Sequence, residues 1–116
     1  MPPSLEQFTQ HLVGRNPREV GQIKMEEVCL KKLRSTRPFV TQKRINRSKR
    51  RGARKHPEVI RYDGQDFLID GHHKTKRVCP QQERVDCRVL TTKNERIGKK
   101  LRKMDAGPIE EIEIRA

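Results

Sequence analysis

Aromatic residues are scarce in this 116-residue chain, which contains three Phe, one Tyr and no Trp. Proteins that bind single-stranded nucleic acid often stack the bases on aromatic side chains, so this composition disfavours that mode of binding. Long apolar runs are absent too, and none approaches the roughly 18 residues that a membrane-spanning helix needs. The first residues lack the basic start and apolar core of a secretion signal. We therefore expect a cytoplasmic protein with no membrane partner.

Cysteine is also rare. Cys29, Cys79 and Cys87 form no Cys-x-x-Cys pair, and an odd number of cysteines makes a poor disulfide framework. The order His72, His73, Cys79, Cys87 matches no common spacing of zinc ligands. We therefore expect reduced, partly buried thiols and no structural zinc.

Apolar residues suffice only for a small core. Leu, Ile, Val and Phe supply 26 of the 116 residues, whereas charged residues make up 37%. This apolar content lies just above the level of about 20% below which a highly charged chain is expected to stay disordered. The length fits one domain. We expect long stretches of the chain to lie outside its core.

Positive charge is concentrated between residues 31 and 55, which hold twelve Lys and Arg and no Asp or Glu. The rest of the chain is nearly balanced, although the whole chain carries a formal net charge of +13. Twelve like charges repel one another unless a polyanion offsets them, and each contact with a nucleic-acid phosphate adds affinity by releasing counterions. We therefore predict a nucleic-acid partner, with DNA favoured over RNA. The alternative is a solvated face that only keeps the chain soluble.

The predicted nucleic-acid-binding residues are the basic residues of the densest part of this segment. They are Lys43, Arg44, Arg47, Lys49, Arg50, Arg51, Arg54 and Lys55. Few apolar residues accompany them, so we predict a basic loop or arm rather than a packed element.

The first third of the chain predicts short elements. Apolar residues at helical spacing over 5–13 predict an N-terminal helix. Ile23 and Met25 alternate with polar residues, which is typical of a strand. Leu30 and Leu33 lie one helical turn apart, so residues 26–33 predict a short helix.

The rest of the chain predicts a hairpin and three later elements. Two β-prone runs flank Asp63-Gly64, a pair typical of a tight hairpin turn. A short helix over 75–78 and a strand with alternating apolar residues over 85–89 follow. Residues 93–103 predict a basic helix, and 109–114 form an acidic tail that would pair as an edge strand or fold back over basic surface.

The second strand of the hairpin leads into Asp70-Gly71-His72-His73-Lys74. Gly71 has no Cβ to block a ligand, and the first N–H groups of a following helix can bind a phosphate. His72, His73 and Lys74 add donors, while Asp70 could cap the helix, accept a proton or hold a metal ion. The alternative is an ordinary helix start with Asp70 as a cap and the histidines at the surface.

This motif resembles a family signature. Phe67-Leu68-Ile69-Asp70-Gly71-His72-His73-Lys74 is similar to the strand-to-helix signature of the ParB/sulfiredoxin-like superfamily, whose members often read Asp-Gly-His-His-Arg here. Residues 23–34 are similar to the family's opening strand and short helix, and 85–90 to its closing strand. The resemblance implies a small α+β domain with a short mixed sheet and flanking short helices.

The resemblance divides the chain into an N-terminal extension (1–19), a ParB-like domain (20–92) with a basic insertion (31–55), and a basic helix with an acidic tail (93–116). It implies that Gly71, His72, His73 and Lys74 bind a phosphate of a nucleotide or polynucleotide. A nuclease activity would use Asp70 as a metal ligand and His72 or His73 as acid or base. The function that we predict is nucleic-acid binding, with nuclease activity left open.

Two alternative functions stay open. One is a nucleotide-dependent phosphotransferase, a small-molecule kinase that would use a nucleoside triphosphate and Mg²⁺, with Asp70 as base or metal ligand. The other is a non-catalytic adaptor that binds an acidic protein. Homo-oligomers are left open as well, and the isolated domain suits a phage or mobile-element protein by analogy.

Departures from the family pattern narrow these choices. Lys74 replaces the usual Arg and loses its planar, bidentate fork. Residues 70–74 contain no Cys, which argues against a sulfinic-acid reductase, and 35–55 contain no carboxylate, which weakens the kinase hypothesis. The residues after 90 are too few for a partition-type helix-turn-helix domain, so we do not expect a complete partition protein.

Overall fold

Short helices and strands alternate along the chain, because turn residues interrupt each apolar run. The structure, a computed structural model, describes residues 4–50 and 55–116, and of Lys49 and Arg50 only the backbone. The helices are α1 (Leu5–Val13), α2 (Pro17–Val20), α3 (Gln42–Arg50), α4 (His72–Val78) and α5 (Glu95–Met104). The strands are β1 (Gly21–Cys29), β2 (Leu33–Ser35), β3 (Phe39–Thr41), β4 (Glu58–Tyr62), β5 (Gln65–Asp70), β6 (Arg84–Thr92) and β7 (Glu113–Arg115). Leu30–Lys32 and Ile109–Glu111 form single 3₁₀ turns.

Five strands form one mixed sheet in the order β1-β6-β4-β5-β2. β1 runs antiparallel to β6, and β4 runs antiparallel to β5. β4 is parallel to β6, and β2 is parallel to β5. A separate small sheet pairs β3 with β7 in parallel. The predicted α+β class, with a short mixed sheet and flanking helices, is confirmed.

The hairpin predicted at Asp63-Gly64 is confirmed and joins β4 to β5. Asp63 has φ 51° and Gly64 has φ 75°, so both central residues of the turn lie in the left-handed region. Two-residue hairpin turns of this kind match the right-handed twist of the strands. Gly adopts the conformation without a steric penalty, and a short polar residue such as Asp tolerates it.

Strand residues alternate between the two faces of the large sheet, and both faces carry apolar side chains. Helices cover each face and bury these side chains. One face packs against α3 and α4, and its core contains Ile45, Val59, Leu68, Val78, Cys87 and Val89. The opposite face packs against α1 and α5, and its core contains Leu5, Phe8, Ile60, Phe67, Leu90, Ile97 and Leu101. The chain therefore has three layers, with the sheet in the middle. Among the described residues, no helix is long and apolar enough to span a membrane.

Two local predictions were wrong. The helix predicted over 26–33 is a continuation of β1 to Cys29 followed by the 3₁₀ turn, because nine consecutive residues of β1 pair with β6. Leu30 and Leu33 are both fully buried. Their spacing of three residues therefore reflects burial in the core and not a helix. The predicted basic loop contains α3, since 42–50 has no Pro or Gly and Ile45 packs into the core.

The other predicted elements are confirmed. The predicted N-terminal helix is α1, the strand around 85–89 is β6, the basic helix is α5, and the short helix before Pro80 is α4, which starts at His72. The acidic tail combines its two predicted alternatives: its end pairs as β7, whereas its start is the 3₁₀ turn whose Ile109 and Glu110 carbonyls accept from Lys76 Nζ. Both α1 and α5 contribute fully buried residues. The core therefore includes more of the N- and C-terminal parts of the chain than the low apolar content led us to expect. The proposed boundaries near residues 19 and 92 stay predictions.

A buried carboxylate ties α1 to the sheet. The Glu58 side chain is only 4% exposed. Its Oε1 accepts the Leu5 N–H at 3.1 Å, and its Oε2 accepts from Arg88 Nη1 at 2.6 Å. Arg88 Nη2 also pairs with Glu6 at 2.5 Å. The negative charge lies at the positive end of the α1 dipole, which is a favourable place for it.

We expect Glu58→Gln to lower the free energy of unfolding by about 2 kcal/mol, because it leaves Arg88 without its buried counter-charge. Urea unfolding followed by circular dichroism measures the loss. Glu27→Gln is the matched control: the Glu27–Arg84 pair is 3.8 Å apart and both side chains are more than half exposed. That variant should lose less than about 0.5 kcal/mol. Equal losses in the two variants would contradict the role assigned to Glu58.

Candidate nucleic-acid interface

Helix α3 presents a row of positive charge to solvent. Ile45 is buried and fixes the orientation of the helix, whereas Lys43, Arg44 and Arg47 are exposed. Residues three and four apart lie on one side of a helix, so Arg47 is a neighbour of both other cations. Within the described part of the chain, none of the three side chains forms an ion pair. Their charge is therefore free to meet an external anion.

The remaining predicted nucleic-acid-binding residues are described less completely. Lys49 and Arg50 belong to α3 by their backbone, and Arg51 and Arg54 lie outside the described residues. Lys55 is exposed, and its Nζ lies 3.4 Å from Asp70 Oδ2. Lys55 thus connects the basic segment to the signature turn.

The signature turn joins β5 to α4 through a left-handed glycine. Asp70 ends β5, Gly71 has φ 93°, and α4 starts at His72. A Cβ on Gly71 would lie 3.1 Å from Pro57 Cα. The space next to Gly71 is therefore filled by the chain itself, and its glycine is required by backbone conformation and by Pro57. The sequence had suggested space for a ligand instead.

His72 is buried between α4 and the sheet, with 1% of its surface exposed. Its Nε2 lies 3.3 Å from Thr36 Oγ1, and that hydroxyl donates to the Leu68 carbonyl at 2.6 Å. Because the hydroxyl proton is already used, we assign the donating N–H to Nε2. Nδ1 has no hydrogen-bond partner among the described residues.

Burial, together with smaller effects of the nearby Arg37 and His73, lowers the pKa of His72 to about 3. The imidazole is therefore neutral at physiological pH. Its position supports packing of α4 on the sheet, and the acid or base role predicted for His72 stays a prediction.

His73 lies half-buried next to two guanidinium groups. Burial lowers its pKa, and the charges of Arg44 and Arg37 lower it further. The pKa of Arg37 is lowered by burial and by Arg44, while Asp70 acts in the opposite direction. Helix α3 contacts α4, and Thr36, in the turn after β2, contacts His72, so α3, this turn and the signature turn lie next to one another.

Arg37 is the residue of this cluster that the sequence-based site did not include. β2 and β5 are parallel, with Ser35 opposite Leu68, so both strands end at the same edge of the sheet. The residues that follow them, 36–38 and 70–73, therefore lie side by side. Arg37 could have been assigned to the site from the sequence only if β2 had been predicted. This strand has only three residues, which is too short for a recognisable pattern.

Lys74 follows the two histidines and reaches back to the basic segment. Its Nζ donates to the Lys55 carbonyl at 3.3 Å. The structure thus brings together five residues of the predicted sites and adds Arg37; the five are Arg44, Lys55, Asp70, His73 and Lys74. His72 lies beneath them in the core.

Asp70 does not provide a site that fits a divalent metal ion. Its Oδ1 accepts the Gly71 N–H at 2.9 Å, and its Oδ2 pairs with Lys55. Across 4–50 and 55–116, no three His, Cys, Asp or Glu side chains are grouped so that they could hold a metal ion together. Mg²⁺ prefers oxygen ligands and would be repelled by the surrounding cations. We therefore derive no metal-dependent step, and the metal role of Asp70 stays a prediction.

Comparison with known proteins adds little. No protein-family model matches this chain, and no curated protein matches it. Among solved structures, it is similar to the crystal structure of protein Atu1540 from Agrobacterium tumefaciens, with 16% sequence identity and a TM-score of 0.49. The match covers 60% of this chain and 40% of that one, so this chain spans less than half of that structure. The ParB/sulfiredoxin-like resemblance stays a prediction from the motif.

The lowered pKa of His72 predicts a loss of stability in acid. In the unfolded chain the pKa returns to about 6.5, so the unfolded state binds more protons between pH 6.5 and about 3. Stability from this group is present above pH 6.5 and decreases as the pH falls through that window. From pH 7 to pH 5 we expect a decrease of roughly 2 kcal/mol in the free energy of unfolding.

Urea unfolding at several pH values measures this decrease, and NMR titration follows the His72 ring protons directly. His72→Gln should flatten the pH dependence whatever its effect on overall stability. His11→Gln, at an exposed position of α1, should leave it unchanged. A His72 resonance that titrates near pH 6.5 in the folded protein would rule out the neutral, buried state.

Proposed function

We propose that this chain binds duplex DNA through a basic surface. We define the basic surface as the basic side chains on α3 and around the signature turn: Arg37, Lys43, Arg44, Arg47, Lys55, His73 and Lys74. The observation that carries the proposal is their convergence on one face of the sheet, where Asp70 is the carboxylate that meets them. Five of these side chains, those of Arg37, Lys43, Arg44, Arg47 and Lys55, come from the segment 31–55, which contains no Asp or Glu.

The mutual repulsion of these groups favours an anionic partner. Burial and the charge of Arg44 lower the pKa of both Arg37 and His73, so their charged forms are disfavoured in the free protein. A phosphate placed among them would remove this repulsion and release condensed counterions. Affinity from such contacts depends on salt and little on base sequence.

Double-stranded DNA fits this surface better than a single strand. Helix α3 exposes Lys43, Arg44 and Arg47 along about one turn, which suits phosphates of a rigid backbone. The described part of the basic surface contains no aromatic side chain on which an unpaired base could stack. Backbone contacts from Lys and Arg position a protein on a duplex without a sequence code.

The first test removes three charges from α3. The triple variant K43A/R44A/R47A should bind duplex DNA more weakly, and the slope of log affinity against log salt should fall by about 0.9 for each lost phosphate contact. Fluorescence anisotropy with a labelled duplex at several salt concentrations measures both quantities. The matched control is K93A/R96A/K99A, which removes the same charge from exposed positions at α5 on the opposite face of the sheet.

The control should bind with an affinity and salt slope close to those of the unsubstituted protein. If both variants lose affinity equally, net charge alone drives binding and the basic surface has no special role. Parallel titrations with single-stranded DNA and duplex RNA compare the other polyanions. Tighter binding of either one would contradict the assignment to duplex DNA.

The second test uses the titration of His73. Its pKa is below the usual value in the free protein because of burial and the two arginines, so bound phosphate should raise it. By linkage, affinity for DNA should increase as the pH falls below neutral, because bound phosphate favours the protonated imidazole of His73. His73→Gln should reduce this dependence, whereas His11→Gln should preserve it. A pH-independent affinity in the unsubstituted protein would exclude His73 from the binding surface.

DNA binding by the basic surface does not depend on catalysis. The resemblance implies roles for Asp70, His72 and His73 in nuclease or phosphotransferase chemistry, and a nucleoside triphosphate as a further ligand. Of the two histidines, His73 is the one that lies half-buried among the charges of the basic surface, where burial, Arg44 and Arg37 lower its pKa. Nuclease, kinase and adaptor functions stay predictions, and binding of DNA requires none of them.

A further inference from the structure

Strand β1 forms an edge of the large sheet along its full nine residues. Among the described residues its sheet partner is β6, on one side. The opposite edge is formed by three-residue β2, where Arg34 bridges to Pro108. Half of the backbone N–H and C=O groups of β1 point away from β6, as at any sheet edge, and such a row can pair with another strand.

Met25 lies at the centre of this edge and is 54% exposed. It faces the side of the sheet that carries α1 and α5, since it stands opposite Arg88, which pairs with Glu6 of α1. From this position the Met25 side chain can contact a side chain of any strand that pairs with this edge.

We propose that β1 pairs with β1 of a second copy of this chain, antiparallel and across a twofold axis at Met25. In this register each Met25 lies against its counterpart. Lys24 of each copy then stands opposite Glu26 of the other, so the same favourable charge pair forms twice. Opposite charges directly across a strand pair stabilise it, and like charges destabilise it.

The neighbouring symmetric registers are disfavoured by the same side chains. An axis at Lys24 places the two lysines opposite each other, and an axis at Glu26 does the same with the two glutamates. Of these three registers, the charged side chains of β1 therefore favour the axis at Met25, and the resulting interface is isologous. Arg61 Nη1 donates to Glu26 Oε2 at 2.7 Å and holds this carboxylate in place.

A twofold axis at a residue, perpendicular to the sheet, keeps equivalent faces on the same side. The product is a continuous ten-stranded sheet, made from two copies of the five-stranded sheet. Its α3–α4 layers both lie on one side and its α1–α5 layers on the other. One strand pair buries less surface than the roughly 1,200 Å² of stable complexes, so we expect a weak dimer with a micromolar dissociation constant.

Sedimentation velocity over a hundredfold range of protein concentration tests the proposal. The unsubstituted chain should change from monomer to dimer. Lys24→Glu and Glu26→Lys should each remain monomeric, because each places like charges opposite one another twice. An equal mixture of the two variants should form a heterodimer, because both glutamates of the first variant then face both lysines of the second. Lys99→Glu, the same charge change on α5, should dimerise like the unsubstituted chain.

The mixture separates this interface from a loss of folding, and circular dichroism of each variant confirms its fold. A chain that stays monomeric at the highest concentration overturns the proposal. Variants that dimerise normally alone, or a mixture that remains monomeric, overturn it too. This test uses no DNA, so its result is independent of the proposed function.

Discussion

The parallel pairing of β2 with β5 is the interaction on which the basic surface depends. Because both strands end at one edge of the sheet, Arg37 lies next to the turn formed by Asp70 and Gly71. Helix α3 then adds Arg44 through the packing of Ile45 in the core. The resulting repulsion among cations is tolerated because folding is driven by the apolar layers beneath, and Asp70 offsets part of it.

The two histidines of the signature turn have different environments. His72 lies within the core, where burial keeps it neutral. Its Nε2 contacts the Thr36 hydroxyl, which in turn donates to the Leu68 carbonyl. His73 lies half-buried among charges. Adjacent residues in a helix point about 100° apart. The same motif therefore places the His72 side chain in the core and the His73 side chain at the surface. A phosphate would meet His73 and Lys74, with His72 supporting their position from below.

Local patterns predicted much of the fold. The Asp63-Gly64 hairpin, helices α1 and α5, and strand β6 follow from turn chemistry and apolar spacing, which act over a few residues. The extension of β1 to Cys29 and the short β2 depend on pairing with distant strands, and the spacing of Leu30 and Leu33 suggested a helix instead. The candidate site was predicted only in part, because one of its residues is placed by strand pairing. Lys55, Asp70, His73 and Lys74 were predicted, whereas Arg37 enters through β2.

Mapping of backbone amide chemical shifts during titration with a short DNA duplex tests the central claim most directly. We predict that the largest changes occur in α3, at Arg37 and between residues 70 and 74, with small changes in α1 and α5. The shifts should move back as salt is added, because the contacts are to phosphate. Changes concentrated on α5, or no changes at low salt, would contradict the account.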